Sequence, residues 1–129
     1  MSNEIKAGEF CWNELISSDI YSVKTFYSKL FGWEFQDNDI GHMTYTMIKN
    51  NGKDVGGMMP VPAGKEQQIP SHWLSYICVD DLDSMVGKAR SLGADIKQDV
   101  MNVGDFGRLA ILADPSGAHI ALWQSLKSC

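Results

Sequence analysis

The stretch WNELISSDIYSVKTFYSKLFGW, Trp12 to Trp33, decides how this chain folds. It reads as the end of a strand, Phe10 to Ile16, running into a helix from about Asp19 to Phe31. Ile20, Val23, Tyr27, Leu30 and Phe31 recur at helical spacing and mark the apolar stripe of that helix. Ser18 or Asp19 can accept from the free N–H groups at its start, and Gly32 suits the left-handed turn that ends it. The same grammar returns later in the chain. Asp19 and Gly32 recur 61 positions on as Asp80 and Gly93. Between the second pair a helix is expected from Asp81 to Leu92, with Leu82, Met85, Val86, Ala89 and Leu92 as its stripe and Asp80 or Asp81 as its cap. A strand, Trp73 to Val79, precedes it. Residue identity between the copies is poor, so the repeat is one of supersecondary structure.

Working outward, each helix is followed by three more strand-like runs. In the first half these are Trp33–Phe35, Thr44–Ile48 and Val55–Met59, with Asn50-Asn51-Gly52 turning between the last two. In the second half they are Asp95–Asp99, Arg108–Leu112 and His119–Trp123, with Asp114-Pro115-Ser116-Gly117 as the corresponding turn. Pro60 to Pro70 holds three of the four prolines and reads as a linker. Neither half carries enough core to stand alone. One domain is therefore expected over residues 1–129, with module one at about 8–60, a linker at 60–71 and module two at about 72–125.

Composition narrows the function classes. The chain has 129 residues, of which 44% are hydrophobic and 21% charged, as in a globular domain able to bury a core. Sixteen acids against eleven Lys and Arg give a net charge of -5. That leaves no electrostatic footprint for nucleic acid or an anionic membrane, so a small-molecule or protein partner is expected. No apolar run approaches a membrane span, and the amino terminus does not read as a signal peptide. Cys11, Cys78 and Cys129 have no CxxC spacing and read as reduced thiols of a cytoplasmic protein, with Cys129 exposed.

Together these features resemble the glyoxalase/bleomycin-resistance/dioxygenase (vicinal oxygen chelate) superfamily. The resemblance rests on Trp12–Trp33, on YICVDDLD and KARSLGA at the opening of module two, and on LADPSGAHIALWQ, Leu112 to Gln124. It spans residues 8 to 125 and implies an α+β fold in which two β-α-β-β-β modules form a curved mixed sheet around a cup. It also implies a homodimer and small-molecule substrates that often chelate a divalent metal. The positions that hold the metal in that superfamily fall here on Trp12, Leu74 and Ala121, and on Gly56, Gly57 or Met58 in the fourth strand. None of these side chains ligates a hard or borderline metal. A register slip of one residue would present Asn13, Trp73 or Ile120 and would not restore the set. No cofactor is therefore expected.

The residues still able to do chemistry are few. Glu14, His72 and His119 each lie two positions from an emptied ligand position, on the same face by strand alternation. They define a displaced two-His, one-carboxylate site, or else a polar rim. Arg108, after Gly104-Asp105-Phe106-Gly107, could hold a carboxylate or phosphate with its fork, or simply belong to a hairpin. His42 sits in a polar loop and reads as solvated. Trp12, Tyr76 and Trp123, with Phe10 and Met58, are candidates for lining the cup around a flat or apolar ligand; the same rings could equally fill it. Cys11 and Cys78 lie within strands beside no cation and read as structural. Three readings follow: a non-metal member binding a small, partly aromatic or apolar molecule; a metal-dependent lyase, isomerase or dioxygenase using Glu14, His72 and His119; or an interaction domain with a filled cup.

Overall fold

A computed structural model describes residues 5–126. Among them, eight strands and two helices follow one another as two β-α-β-β-β runs. The first is β1 (Phe10–Ser17), α1 (Ile20–Phe31), β2 (Glu34–Asp39), β3 (Thr44–Asn50) and β4 (Lys53–Pro60). The second is β5 (His72–Cys78), α2 (Leu82–Ser91), β6 (Asp95–Val103), β7 (Gly107–Ala113) and β8 (His119–Ser125). The expected α+β class and the internal repeat are both present. By contacts, Trp12–Leu74 forms one compact unit, and Ser75 onward forms the other together with the start of the chain up to Cys11.

In the first unit the strand order is β2-β3-β4-β1. Neighbours are antiparallel except β1 and β4, which run parallel with Glu14 opposite Gly57. Asp19, rather than Ser18, caps α1: its carboxylate accepts from Ser22 N at 3.1 Å, which, with Ser22 Oγ donating as well, holds its pKa below the usual value. Gly32 ends the helix at φ +77°, a conformation that a side chain would strain. Leu15, Ile48 and Met58 form the buried core beneath α1, with Ile20, Val23 and Tyr27 of the helix packed on them. Burying such side chains stabilises by about 1.5–3 kcal/mol each. No residue of α1 itself is fully buried.

The second unit repeats the plan with order β5-β8-β7-β6. Here β5 and β8 are the parallel pair, with Tyr76 opposite Ala121. Asp81 caps α2 by accepting from Ser84 N at 3.2 Å. Leu82 and Val86 are buried against Val79 and Ala110, with Leu122, Ile96 and Val100 alongside. Asp114 builds the last turn, accepting from Ser116 Oγ at 2.6 Å and Ser116 N at 2.8 Å, bonds that hold its carboxyl below the usual range. The chain start joins this unit through Gly8 N to Cys78 O at 2.8 Å and Cys78 N to Glu9 O at 2.9 Å.

Two thiols can be compared with expectation. Cys11 is a free, half-buried thiol whose pKa is raised by burial. Cys78 is disulfide-bonded, which corrects the expectation of reduced thiols throughout. The pairing of cysteines is decided by the folded chain path, which their spacing does not reveal. The expectation for Cys129 lies outside the described residues.

Candidate functional site

Strand alternation assigns the faces of the first unit. Leu15, Ile48 and Met58 point at α1, so Trp12, Glu14, Tyr45 and Gly57 share the opposite face. Three of these side chains form a hydrogen-bonded chain. Trp12 Nε1 donates to Tyr45 Oη at 2.8 Å, and the Tyr45 hydroxyl is in turn bonded to Glu14. Glu14 is 2% exposed, one of three buried polar or charged residues among those described. Burial, then the charge of Glu14, raises the Tyr45 pKa far above its ordinary value of 10; the bond from Trp12 works in the other direction and is outweighed. The phenol therefore keeps its proton at neutral pH and can donate it to the carboxylate while accepting from the indole.

Gly57 makes this chain possible. A Cβ there would collide with the Oη and ring of Tyr45, so the phenol lies directly over the glycine. Beside it, a Cβ at Gly56 would come 2.8 Å from the backbone oxygen of Asn13, which demands close approach of β4 to β1. The pair Gly56-Gly57 thus serves backbone approach and ring placement.

The second unit carries a related but apolar arrangement. Ala110 and Leu122 face α2, and Trp123 shares the opposite face with Ala121. Tyr76 and Trp123 meet edge to face, with ring centroids 6.4 Å apart. A Cβ at Gly107 would lie 2.7 Å from the Trp123 ring and would also strike Gln124 O. Ala121 and Tyr76 are buried, and Trp123 is half-buried.

The remaining candidates are dispersed. Phe10 is 67% exposed. Met58 is fully buried in the core beneath α1, which corrects its placement on the ligand-lining face. Arg108 points toward α2, and both arms of its fork are taken by Asp83, at 3.0 and 3.1 Å, which raises its pKa. It is therefore a strand-to-helix tie rather than a waiting anion receptor. His72 is half-buried with Nδ1 donating to Pro70 O at 2.8 Å, and His119 is exposed at the start of β8. Among the described residues no three His, Cys, Asp or Glu side chains come together as a group able to hold a metal. Trp12, Leu74 and Ala121, which the resemblance aligns with the superfamily's ligand positions, carry no side chain that ligates a hard or borderline metal. Tyr45 is the site residue that sequence reasoning missed. Its partner Trp12 lies 33 residues away, and only the strand alternation around Gly57 offered a signal.

The sequence model of the glyoxalase/bleomycin resistance protein/dioxygenase superfamily matches residues 11–122. The chain belongs to this superfamily. A superfamily relative, CFP32 of Mycobacterium tuberculosis, provisionally named a glyoxylase, is 36% identical over 125 residues, covering 95% of this chain and 48% of its own length. The anthracycline biosynthesis protein DauV of a Streptomyces species is 32% identical over 129 residues, covering 91% of this chain and 47% of its own. The chain thus spans about half the length of these curated relatives. Among solved structures, a hypothetical protein from Bacillus halodurans superposes with a TM-score of 0.69 at 12% identity, covering 96% of this chain and 99% of that one, a likeness of fold. No described helix is long and apolar enough to cross a membrane.

Proposed function

We propose that this superfamily member binds a small, partly aromatic molecule on the sheet face opposite α1, using Trp12, Glu14 and Tyr45 as its polar anchor. The observation that carries the reading is the buried Glu14 carboxylate joined to the Tyr45 phenol and the Trp12 indole. A face that served only as core filling would more simply be apolar, because a buried polar group needs compensating hydrogen bonds. The indole offers a flat apolar wall, and the phenol and carboxylate offer directional hydrogen bonding. Relation to a protein named for anthracycline biosynthesis is in keeping with a flat ring system as ligand. Tyr76 and Trp123, paired edge to face on the second unit's sheet, are proposed as an aromatic ligand surface of that unit by itself.

The test is a titration of planar phenols and quinones followed by tryptophan fluorescence and calorimetry. The expected result is saturable binding by at least one compound, weakened about tenfold or more by Tyr45→Phe, in line with loss of a hydrogen bond to a charged network. Binding indifferent to Trp12→Ala and Tyr45→Phe would overturn the site. Elemental analysis after soaking in Fe, Ni, Zn and Mn separates the metal-dependent reading. Near-stoichiometric metal that is lost on Glu14→Ala or His119→Ala would replace the proposal with that one.

A further inference from the structure

Along one flank of α1 the sequence repeats a polar pair, Lys24-Thr25 and, one turn on, Ser28-Lys29. Ile20, Val23 and Tyr27 occupy the side of the helix that packs on the core. The polar flank borders a surface groove of about 300 Å³, lined by Lys24, Thr25, Ser28, Lys29 and Phe35 of β2. We infer that this groove is a second binding site of the first unit, for a small phosphate monoester carried on an apolar or aromatic group. The groove lies on the helix side of the sheet. Phe35 stands opposite Ile48 in the β2–β3 ladder and packs with it beneath α1, whereas Trp12, Glu14 and Tyr45 share the other face. The groove therefore belongs to none of the residues already assigned a role.

One ammonium of the groove is held in place from the sheet. Thr46, buried on β3, donates its Oγ1 to Asp37 Oδ1 at 2.7 Å. Both carboxylate oxygens of Asp37 accept from Lys24 Nζ, at 2.8 and 2.9 Å. Lys24 is thus oriented before any ligand arrives, and Asp37 offsets its charge. Lys29 joins no ion pair among the described residues. Its charge leaves the groove cationic on a chain of net charge -5, and an anion is what such a place selects. The donor set narrows the anion. No arginine lines the groove, so the flat two-pronged match to a carboxylate is missing, while lysines act as point charges suited to phosphate. Thr25 and Ser28 add hydroxyl donors from one side. The Thr25 hydroxyl has a long contact of 3.5 Å to Tyr21 O, which a phosphate oxygen can replace. A phosphate monoester carries about 1.5–2 negative charges at neutral pH. Phe35, half-buried, supplies the apolar wall for the organic part. The volume sits at the low end of the roughly 300–1,000 Å³ of small-molecule sites, which suits a ligand of about one ring.

The experiment is a titration of the full, nitrogen-15-labelled chain with phenyl phosphate, followed by amide shifts in two-dimensional NMR, with inorganic phosphate and benzoate as separate probes. The variants are Lys29→Ala and Ser28→Ala, with Lys88→Ala on α2 as the control. All three positions are exposed, so the core is left intact. The expected result is saturable binding of phenyl phosphate with its largest shifts between Lys24 and Phe35. Lys29→Ala should weaken it about tenfold, as loss of a hydrogen bond from a charged donor does. Ser28→Ala should weaken it about threefold, and Lys88→Ala should leave it unchanged. Inorganic phosphate, which lacks the ring, and benzoate, which lacks the phosphate, should each bind at least about tenfold more weakly. Absence of saturation at millimolar concentrations would overturn the site, as would binding indifferent to Lys29→Ala or weakened equally by Lys88→Ala. Benzoate or inorganic phosphate binding as tightly as phenyl phosphate would overturn the ligand class. Tyr45→Phe separates this groove from the opposite sheet face: phenyl phosphate binding lost there and kept in Lys29→Ala would also sink the inference.

Discussion

The two modules use the same device to different ends. In each, an aromatic side chain lies across a glycine of a neighbouring strand, on the face turned away from the helix: Tyr45 over Gly57, Trp123 over Gly107. In the first module the ring is a relay between an indole and a buried carboxylate. In the second it packs edge to face on Tyr76. The helices differ too. α2 buries Leu82 and Val86, whereas α1 buries nothing completely and keeps its rings half in solvent. A duplicated plan has kept its backbone requirements, and the side chains that the backbone holds have diverged. The lesson is that repeat symmetry transmits where a functional side chain can stand and says little about its chemistry.

The comparison breaks most visibly at Gly107. Gly107→Ala places its methyl against Gln124 O, a backbone atom that cannot move aside, and against the Trp123 ring. Thermal unfolding should show a loss at or above the top of the ~1–3 kcal/mol range for overpacking. Gly57→Ala should cost less, within that range, because its obstacle is the Tyr45 side chain, which can swing out. The swing should also change Trp12 fluorescence, and pairing Gly57→Ala with Tyr45→Ala should cost less than the two losses added together. Equal costs at the two glycines would show that the device is the same in both modules after all.

Tyr45→Phe sharpens the contrast by removing the relay while keeping the ring. It should cost about 1–3 kcal/mol at neutral pH, since it deprives buried partners of a hydrogen bond. The pH dependence has a definite sign. Because the folded phenol holds its proton more tightly than the unfolded one, the unfolded state binds fewer protons above its ordinary value of 10. Stability should therefore fall as pH rises through about 10, and the Phe variant should lose that part of the alkaline slope. An unchanged slope in denaturant melts at pH 9 to 11 would show that the phenol is not held in the buried setting described. The smallest effect is expected from Arg108→Ala, whose partner Asp83 is 66% exposed. A slight change in melting temperature that vanishes in high salt is the signature of such a surface tie.

Much of the fold was legible because its signals are local. Asp19, Asp81 and Asp114 act within a few residues by accepting from nearby backbone N–H groups, and Gly32 through its positive φ and its own N–H, which donates to Ser28 O. Their positions along the chain therefore carry most of the information. Strand ends were longer than the apolar runs suggested, as in β2 and β6, because ladder bonds extend over polar residues such as Asp37 and Asn102. Less of the site was legible. Trp12 and Glu14 stood out by alternation, while Tyr45 did not; Met58 was assigned to the wrong face, and for Arg108 the structural alternative holds, through Asp83.

What the sequence determined by itself was the order of elements, their caps and turns, and the repeat. Each of these depends on residue type and short spacing. What only the tertiary structure decided was that Tyr45 bridges Trp12 and Glu14, that Asp83 occupies Arg108, and that the α1 rings remain exposed. Those outcomes depend on which strands become neighbours and in what register. A shift of one residue in pairing would turn every side chain to the other face, and no local pattern in the chain fixes that choice.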